Sequence, residues 1–311
     1  MEGYCGEVCQ GSRDHHDLCD HMGSGNDFPS KLQNNINIIT QSSISLIASI
    51  GIMFVIITGG IDLSLGYTVG LTSLVSGICF NILNFPLLVV ILLMLMLGAV
   101  IGAVNGFLIV RLHIPAFIAT LSSGYIVFGS AQILGSRFVI YNLPDAVKSF
   151  GKFRFLNIPV FVFVSAVVVV VAAVILNRTI LGRSLYALGT NSTGSYFSGV
   201  TIGSATTKAY VFSAMCAALC GVLFTIRVNS AQPDMGGGTF TFEAVTGCVL
   251  GGVNLLGGEG RVSGVIFGVL MLKMIENMLG IMGANPYLYQ ALSSVIILAA
   301  IIAENLKNRY L

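Results

Sequence analysis

Polar positions crowd into the first 36 residues, and from there long apolar runs recur almost to the C-terminus. The 1–36 stretch is rich in glycine and asparagine and has no helical apolar face, so a disordered tail is expected there. Apolar runs then follow at 37–57, 66–83, 86–110, 114–134, 158–176, 209–228, 243–256, 262–283 and 288–303. Crossing about 30 Å of hydrocarbon at about 1.5 Å per residue takes roughly 20 helical residues. Most of the runs have that length. The run 243–256 has only 14 residues, which predicts a re-entrant or broken helix. The fold class predicted is all-α, a polytopic transmembrane helical bundle of about nine spans with broken or re-entrant helices. The domain division is a tail at 1–36 and a membrane domain at 37–311.

Composition removes the main alternative, a large soluble protein with a buried core. The 311 residues are 55% hydrophobic and 9% charged, against roughly 25% charged in soluble domains. Six of the thirteen acids (Glu2, Glu7, Asp14, Asp17, Asp20 and Asp27) lie in the first 27 residues, leaving long stretches nearly free of charge. The net charge of +2 is not gathered into a basic patch, which argues against a nucleic-acid partner. Cys79, Cys216, Cys220 and Cys248 lie in apolar runs, where cysteine acts as a small hydrophobe. Cys5, Cys9, His15, His16, Cys19 and His21 lie in the tail, at spacings that match no zinc-finger pattern. No metal site and no cofactor are predicted. The N-terminus lacks the basic and apolar regions of a secretory signal.

Glycines at four-residue spacing, Gly98-Gly102-Gly106 and Gly260-Gly264-Gly268, form ridges that let membrane helices approach closely. Two polar stretches, 135–157 and 177–208, are separated by one run and so fall on opposite sides. With every run counted as a crossing, Arg111, Arg178, Arg183, Lys208, Arg261, Lys307 and Arg309 share one side. Arg13, Lys31, Arg137, Lys148, Lys152, Arg154 and Arg227 share the other. Seven against seven gives the positive-inside rule nothing to choose by.

Three stretches could carry chemistry. The run Gly251 to Gly260 is rich in glycine but lacks the lysine of a nucleotide-binding loop, so it is read as a break between helices. ATP-driven transport would therefore need a separate hydrolytic subunit. The run Thr58-Gly59-Gly60-Ile61-Asp62-Leu63-Ser64-Leu65-Gly66 breaks two apolar stretches around one acid. Asp62 either lines a water-filled path there or caps the following helix. Lys273 and Glu276, three apart within an apolar run, fall on one helix face. They are either functional intramembrane charges or a structural ion pair. No His–acid relay lies near them, which weighs against a proton-driven carrier. No paired carboxylates, metal-ligand helix or Ser/His set lies within the spans, which weighs against an intramembrane enzyme.

At Gly60-Ile61-Asp62-Leu63-Ser64-Leu65-Gly66 the sequence resembles the permease subunits of monosaccharide ABC importers of the ribose, galactose, xylose and autoinducer-2 type. The resemblance continues at Gly102-Ala103-Val104-Asn105-Gly106 and at Ile114-Pro115-Ala116-Phe117-Ile118-Ala119-Thr120-Leu121. It is strongest from Leu181-Gly182-Arg183-Ser184-Leu185-Tyr186-Ala187-Leu188-Gly189-Thr190-Asn191 through Ser198-Gly199-Val200 and Ser230-Ala231-Gln232-Pro233. Leu250-Gly251-Gly252 and Gly257-Gly258-Glu259-Gly260 complete it, over about 27–305.

The resemblance implies a multi-pass protein of the bacterial plasma (inner) membrane, without catalysis of its own. Its implied partners are an ABC ATPase subunit, an extracytoplasmic sugar-binding protein and a second permease copy or paralogue. The 177–208 loop would dock on the ATPase through Arg183, Gly189, Asn191, Ser198 and Gly199, which places the C-terminus inside. Translocation-path candidates are Asp62, Ser64, Asn105, Glu243, Lys273 and Glu276. Departures from the family pattern are Ser192 in place of Glu, followed by Gly194-Ser195, and Phe240-Thr241-Phe242-Glu243 in place of Tyr-Glu-Leu-Asp. They bear on the ATPase contacts and the sugar, and leave the fold alone. Family members also carry an apolar span where this chain has its Cys/His tail. Alternative functions are a permease for another small solute (a branched-chain amino acid or nucleoside) and a stand-alone secondary carrier.

Overall fold

The computed structural model describes residues 31–138, 140–155, 158–283 and 285–310. The Cys/His tail, with the disorder and metal questions attached to it, lies outside the described residues. The chain divides into units at 1–37 and 38–311, and every contact below lies within the second.

Helix α1 (Lys31–Ile57) runs into the glycine break, where Gly59 takes a φ of +76° that a side chain would resist. Helices α2 (Leu65–Asn81), α3 (Leu87–Arg111) and α4 (Ala116–Gly135) follow the predicted runs closely. The polar stretch after α4 holds a two-residue strand β1 (Ile140–Tyr141), the short helix α5 (Asp145–Lys152), and the paired strands β2 (Arg154–Phe155) and β3 (Ile158–Pro159). Then come α6 (Val160–Arg178), α7 (Ile180–Thr190), α8 (Ser192–Phe197) and α9 (Ile202–Val228). Strand β4 (Ser230–Ala231) pairs antiparallel with β1. Helices α10 (Gly237–Leu250), α11 (Val262–Ile281) and α12 (Pro286–Tyr310) complete the chain.

Several boundaries correct the expectations. The stretch 177–208 is not a loop but mostly helix, comprising α7, α8 and the first turns of α9. Helix α9 begins seven residues before 209, so Lys208 rides on a helix. The short run 243–256 is displaced to 237–250, because Gly251 and Gly252 end the helix and Gly252 takes a φ of +76°. Gly260 lies ahead of α11, so the second glycine ridge keeps only Gly264 and Gly268 on the helix.

Six described helices are long and apolar enough to cross a membrane: α1 over 38–57, α3, α4, α6, α9 and α11. Their burial separates them into two kinds. In α1 and α9, 72% of the apolar window is buried, against 22–28% in α3, α4, α6 and α11. Helices α1 and α9 are therefore the inner pillars, and the others turn wide apolar faces outward, as lipid contact requires. The buried cysteines serve this core as small side chains; Cys216, Cys220 and Cys248 are at most 5% exposed.

Helix α9 lies against both α3 and α2. A Cβ on Gly98 or Gly102 of α3 would run into the backbone of Ala214 or of Tyr210 and Val211, and one on Gly106 into Thr207. The predicted ridge is thus the seam between α3 and α9. Helix α2 at 17 residues spans about 26 Å, and α10 at 14 residues about 21 Å. Ahead of α10 the chain runs beside α2. Added Cβ atoms on Gly77, Gly70 and Gly66 would meet Ala231, Pro233 and Gly237 in turn. A two-residue strand and a turn thus precede the half-length helix, and α2 covers their backbone.

Candidate functional site

The predicted site residues fall into three groups. The first is built on the break after α1. Asp62 is fully buried. Its Oδ1 accepts from the Ser64 backbone N–H at 3.0 Å and from Ser64 Oγ at 2.6 Å, and its Oδ2 accepts from Ser213 Oγ on α9 at 2.9 Å. Asn105 Nδ2 on α3 donates to Ser64 Oγ at 2.9 Å, and Ser123 Oγ on α4 donates to Asn105 Oδ1 at 2.5 Å. Tyr210 OH adds a bond to the Ile61 carbonyl at 3.3 Å. Asp62, Ser64 and Asn105 thus meet in one sealed network joining α3, α4 and α9 to the break. The carboxylate does not accept from the amide of the second or third residue of α2. It grips the residue two places on, in the local turn that aspartate favours. Every member has partners, which is what keeps a buried polar network from being costly.

The second group lies on α10 and α11, with α1 and α12 around it. Lys273 is 6% exposed. Its Nζ lies 2.6 Å from Glu243 Oε1 and 2.6 Å from Glu276 Oε2, and Ser45 Oγ on α1 donates to Glu243 Oε1 at 2.7 Å. The pairing of Lys273 with Glu276 follows from their spacing. Glu243 joins from another helix, so one ammonium holds two carboxylates and the triad carries one net negative charge. Beside it is a cavity of about 330 Å³ lined by both glutamates and by Tyr289, Gln290, Ser293 and Ser294 of α12. Such a lining can exchange hydrogen bonds with a polar solute. Among the described residues it holds no nucleophile paired with a base.

The third group is at the opposite end of the bundle from the β1–β4 pair. Thr179 caps α7 by accepting from Gly182 N–H, and Asn191 Oδ1 caps α8 by accepting from Gly194 N–H at 2.8 Å. Gly189 sits where a Cβ would strike the Ile57 carbonyl and the Gly258 amide, which themselves bond at 2.9 Å. Tyr186 OH donates to the Gly260 carbonyl at 2.7 Å. Burial pushes this phenol above its usual pKa, partly offset by the nearby Arg261 cation. Helix α7 is thereby clamped to the end of α1 and to the glycine-rich turn linking α10 and α11. Gly199 takes a φ of +79°, making the turn after α8, and Ser198 Oγ donates to the Gly194 carbonyl at 2.9 Å. Arg183 is exposed, as are Ile180, Tyr196 and Phe197, the last at 81%. Large exposed apolar side chains rimmed by polar ones suit contact with a protein or with the membrane.

Residues 34–301 match the family described as branched-chain amino acid transport system / permease component. The chain belongs to this permease family. Among its relatives is the ribose import permease protein of Escherichia coli (strain K12), 34% identical over 282 residues, covering 89% of this chain and 87% of the relative. The galactose/methyl galactoside import permease protein of the same strain is 32% identical over 297 residues, with coverage of 89% and 87%. Its D-allose transport system permease protein is 30% identical over 277 residues, with coverage of 89% and 85%. No solved structure matches. The permease is thus a multi-pass membrane protein, and permeases of this family are not themselves enzymes.

Sequence reasoning missed Ser45, Ser123 and Ser213, because nothing in the sequence separates Ser45 from Ser42, Ser43 and Ser49 or Ser123 from Ser122, and their partners are reached only through the fold. Tyr289 and Ser293 left a usable signal. They stand four apart, and so on one face, within an apolar run.

Proposed function

We propose that the permease is the membrane-spanning subunit of an ATP-binding-cassette importer that moves a simple sugar delivered by a binding protein. The observation that carries this is its likeness, along nearly the whole chain, to permeases named for ribose, galactose and allose. Hydrolysis falls to a separate ATPase subunit, since the glycine-rich run at 251–260 lacks a phosphate-binding lysine.

In this account nine helices cross: the six long ones, with α2, α10 and its lead-in, and α12. The α7–α8 end is cytoplasmic and so is the C-terminus. ATPase subunits dock on the exposed face of α7 and α8 around Arg183, which suits charge-assisted bonds to a partner's acids. Gly189, Asn191, Ser198 and Gly199 shape that face. Movement of α7 reaches α10 and α11 through the 251–261 turn, and those helices carry Glu243, Lys273 and Glu276. The sugar passes beside this triad, while the Asp62–Ser64–Asn105 network fixes the break next to the path. Gln290 and Ser294 are exposed on α12, and polar groups at membrane depth need protein or water to cover them. A second permease copy or paralogue supplies that cover.

Deleting the gene and measuring uptake of labelled ribose, galactose and allose tests the proposal. Loss of at least one, restored by the gene on a plasmid, is expected. Unchanged uptake of all three with lost uptake of branched-chain amino acids would overturn the sugar assignment.

A further inference from the structure

We propose that the cavity between α10, α11 and α12 is a sugar-holding site, in which Tyr289 and Ser293 bind the hydroxyl groups of the passing solute. This rests on the sugar-importer account above and names the place within it where cargo is held. The observation behind it is a set of unmet hydrogen bonds. Tyr289 OH and Ser293 Oγ are buried and make no well-formed hydrogen bond to the rest of the described protein. They interact only with each other, and a mutual bond uses one of their two donors and leaves the other open to a ligand. Ser293 is only 6% exposed. Both side chains line the 330 Å³ cavity. Leaving a buried hydroxyl unpaired costs roughly 1–3 kcal/mol, and alanine and phenylalanine would fit the same apolar helix without that cost. Two such groups one turn apart, facing one cavity, point to a ligand that completes them.

The rest of the lining defines that ligand as a neutral polyol. Hydroxyls both donate and accept, as sugar hydroxyls do. Glu243 and Glu276 each give one oxygen to Lys273, leaving the other oxygen of each carboxylate to accept from a sugar hydroxyl. Because the ammonium already offsets one of the two charges, the cavity is a poor trap for a free cation. Gln290 adds an amide that both donates and accepts. Phe242, 53% exposed at the same cavity, offers an apolar ring to the C–H face of a pyranose or furanose. A volume near 300 Å³ is at the small end of ligand pockets, which suits a monosaccharide. The site also lies on the helices that the 251–261 turn ties to α7, so it is placed to open and close with the coupling end.

The test uses the full importer in liposomes, with its ATPase and binding protein, and labelled ribose, galactose and allose as probes. Tyr289→Phe and Ser293→Ala remove the unmet hydroxyls and leave the Lys273 triad whole. Each is expected to cut the sugar moved per ATP hydrolysed by about five- to tenfold, the worth of a lost neutral hydrogen bond. The unfolding temperature should hold or rise, since an unpaired buried group has gone. Ser49→Ala is the matched control. Ser49 Oγ is also buried and without a partner, but it faces the α1–α10 contact near Gly247 instead of the cavity, and its loss should leave transport at the wild-type level. Wild-type transport by both cavity variants, or an equal loss in S49A, overturns the cavity assignment alone. A wild-type complex that moves none of the three sugars overturns the importer account, and this site with it.

Discussion

Lys273 is the residue on which most of the membrane-depth charge depends. Its ammonium lies 2.6 Å from each of two carboxylates. Lys273→Met would leave Glu243 without its cation and Glu276 with only Arg227, which lies beyond ion-pair distance. Breaking a buried pair from one side costs about 3–5 kcal/mol. Thermal unfolding in detergent should show a large drop for this variant. Glu276→Gln should drop less, because that side chain is about one-third exposed. Asn105 is the matching case in the sealed network. Asn105→Leu strips Ser64 and Ser123 of a partner, and a loss of about 1–3 kcal/mol is expected in the same assay. Equal stability of wild type and variant would mean the network does not hold the break. At this scale the sequence revealed only what local spacing encodes. Lys273 with Glu276 could be read from a three-residue interval, and Asp62 with Ser64 from the glycine break. Glu243, Ser45 and Ser213 could not, because their partners are brought in from other helices.

Among the elements, the α3–α9 seam and the clamp on α7 make the sharpest claims. Gly102 of α3 faces the backbone of Tyr210 and Val211. Gly102→Val would push the helices apart, and overpacking of this kind costs about 1–3 kcal/mol. Gly129 on α4, where an added Cβ meets nothing within 4 Å, should accept alanine without loss of thermal stability. Gly189→Leu attacks the clamp, since its Cβ would strike the backbone of Ile57 and Gly258. Sugar uptake by the reconstituted importer should then collapse while the ATPase still binds. Full uptake by G189L would contradict a rigid link from α7 to the 251–261 turn. Apolar runs predicted the long helices well because length and hydropathy alone determine them. They failed at α7, α8 and α10, where caps at Thr179 and Asn191 and stops at Gly251 and Gly252 decide the boundaries.

For the whole molecule, the same polar groups that make the chain unusual among apolar bundles also give it direction. The charges alone left the two sides tied, and leaving out Lys208 and Arg227, which lie on α9 instead of in loops, takes one from each side and keeps the tie. The opposite ends are distinguished by structure. One holds the β1–β4 pair, and the other the exposed Arg183, Tyr196 and Phe197 surface. As proposed above, the second end seats an ATPase, and the sugar waits at the triad and its cavity. On this proposal the chain moves sugar only as part of an ATP-driven assembly. The direct measurement is uptake of labelled sugar into liposomes bearing the permease, with the ATPase subunit, the binding protein and ATP omitted one at a time. Accumulation with all components present, and loss of it on any omission, is the result predicted. Accumulation by the permease alone would contradict the account.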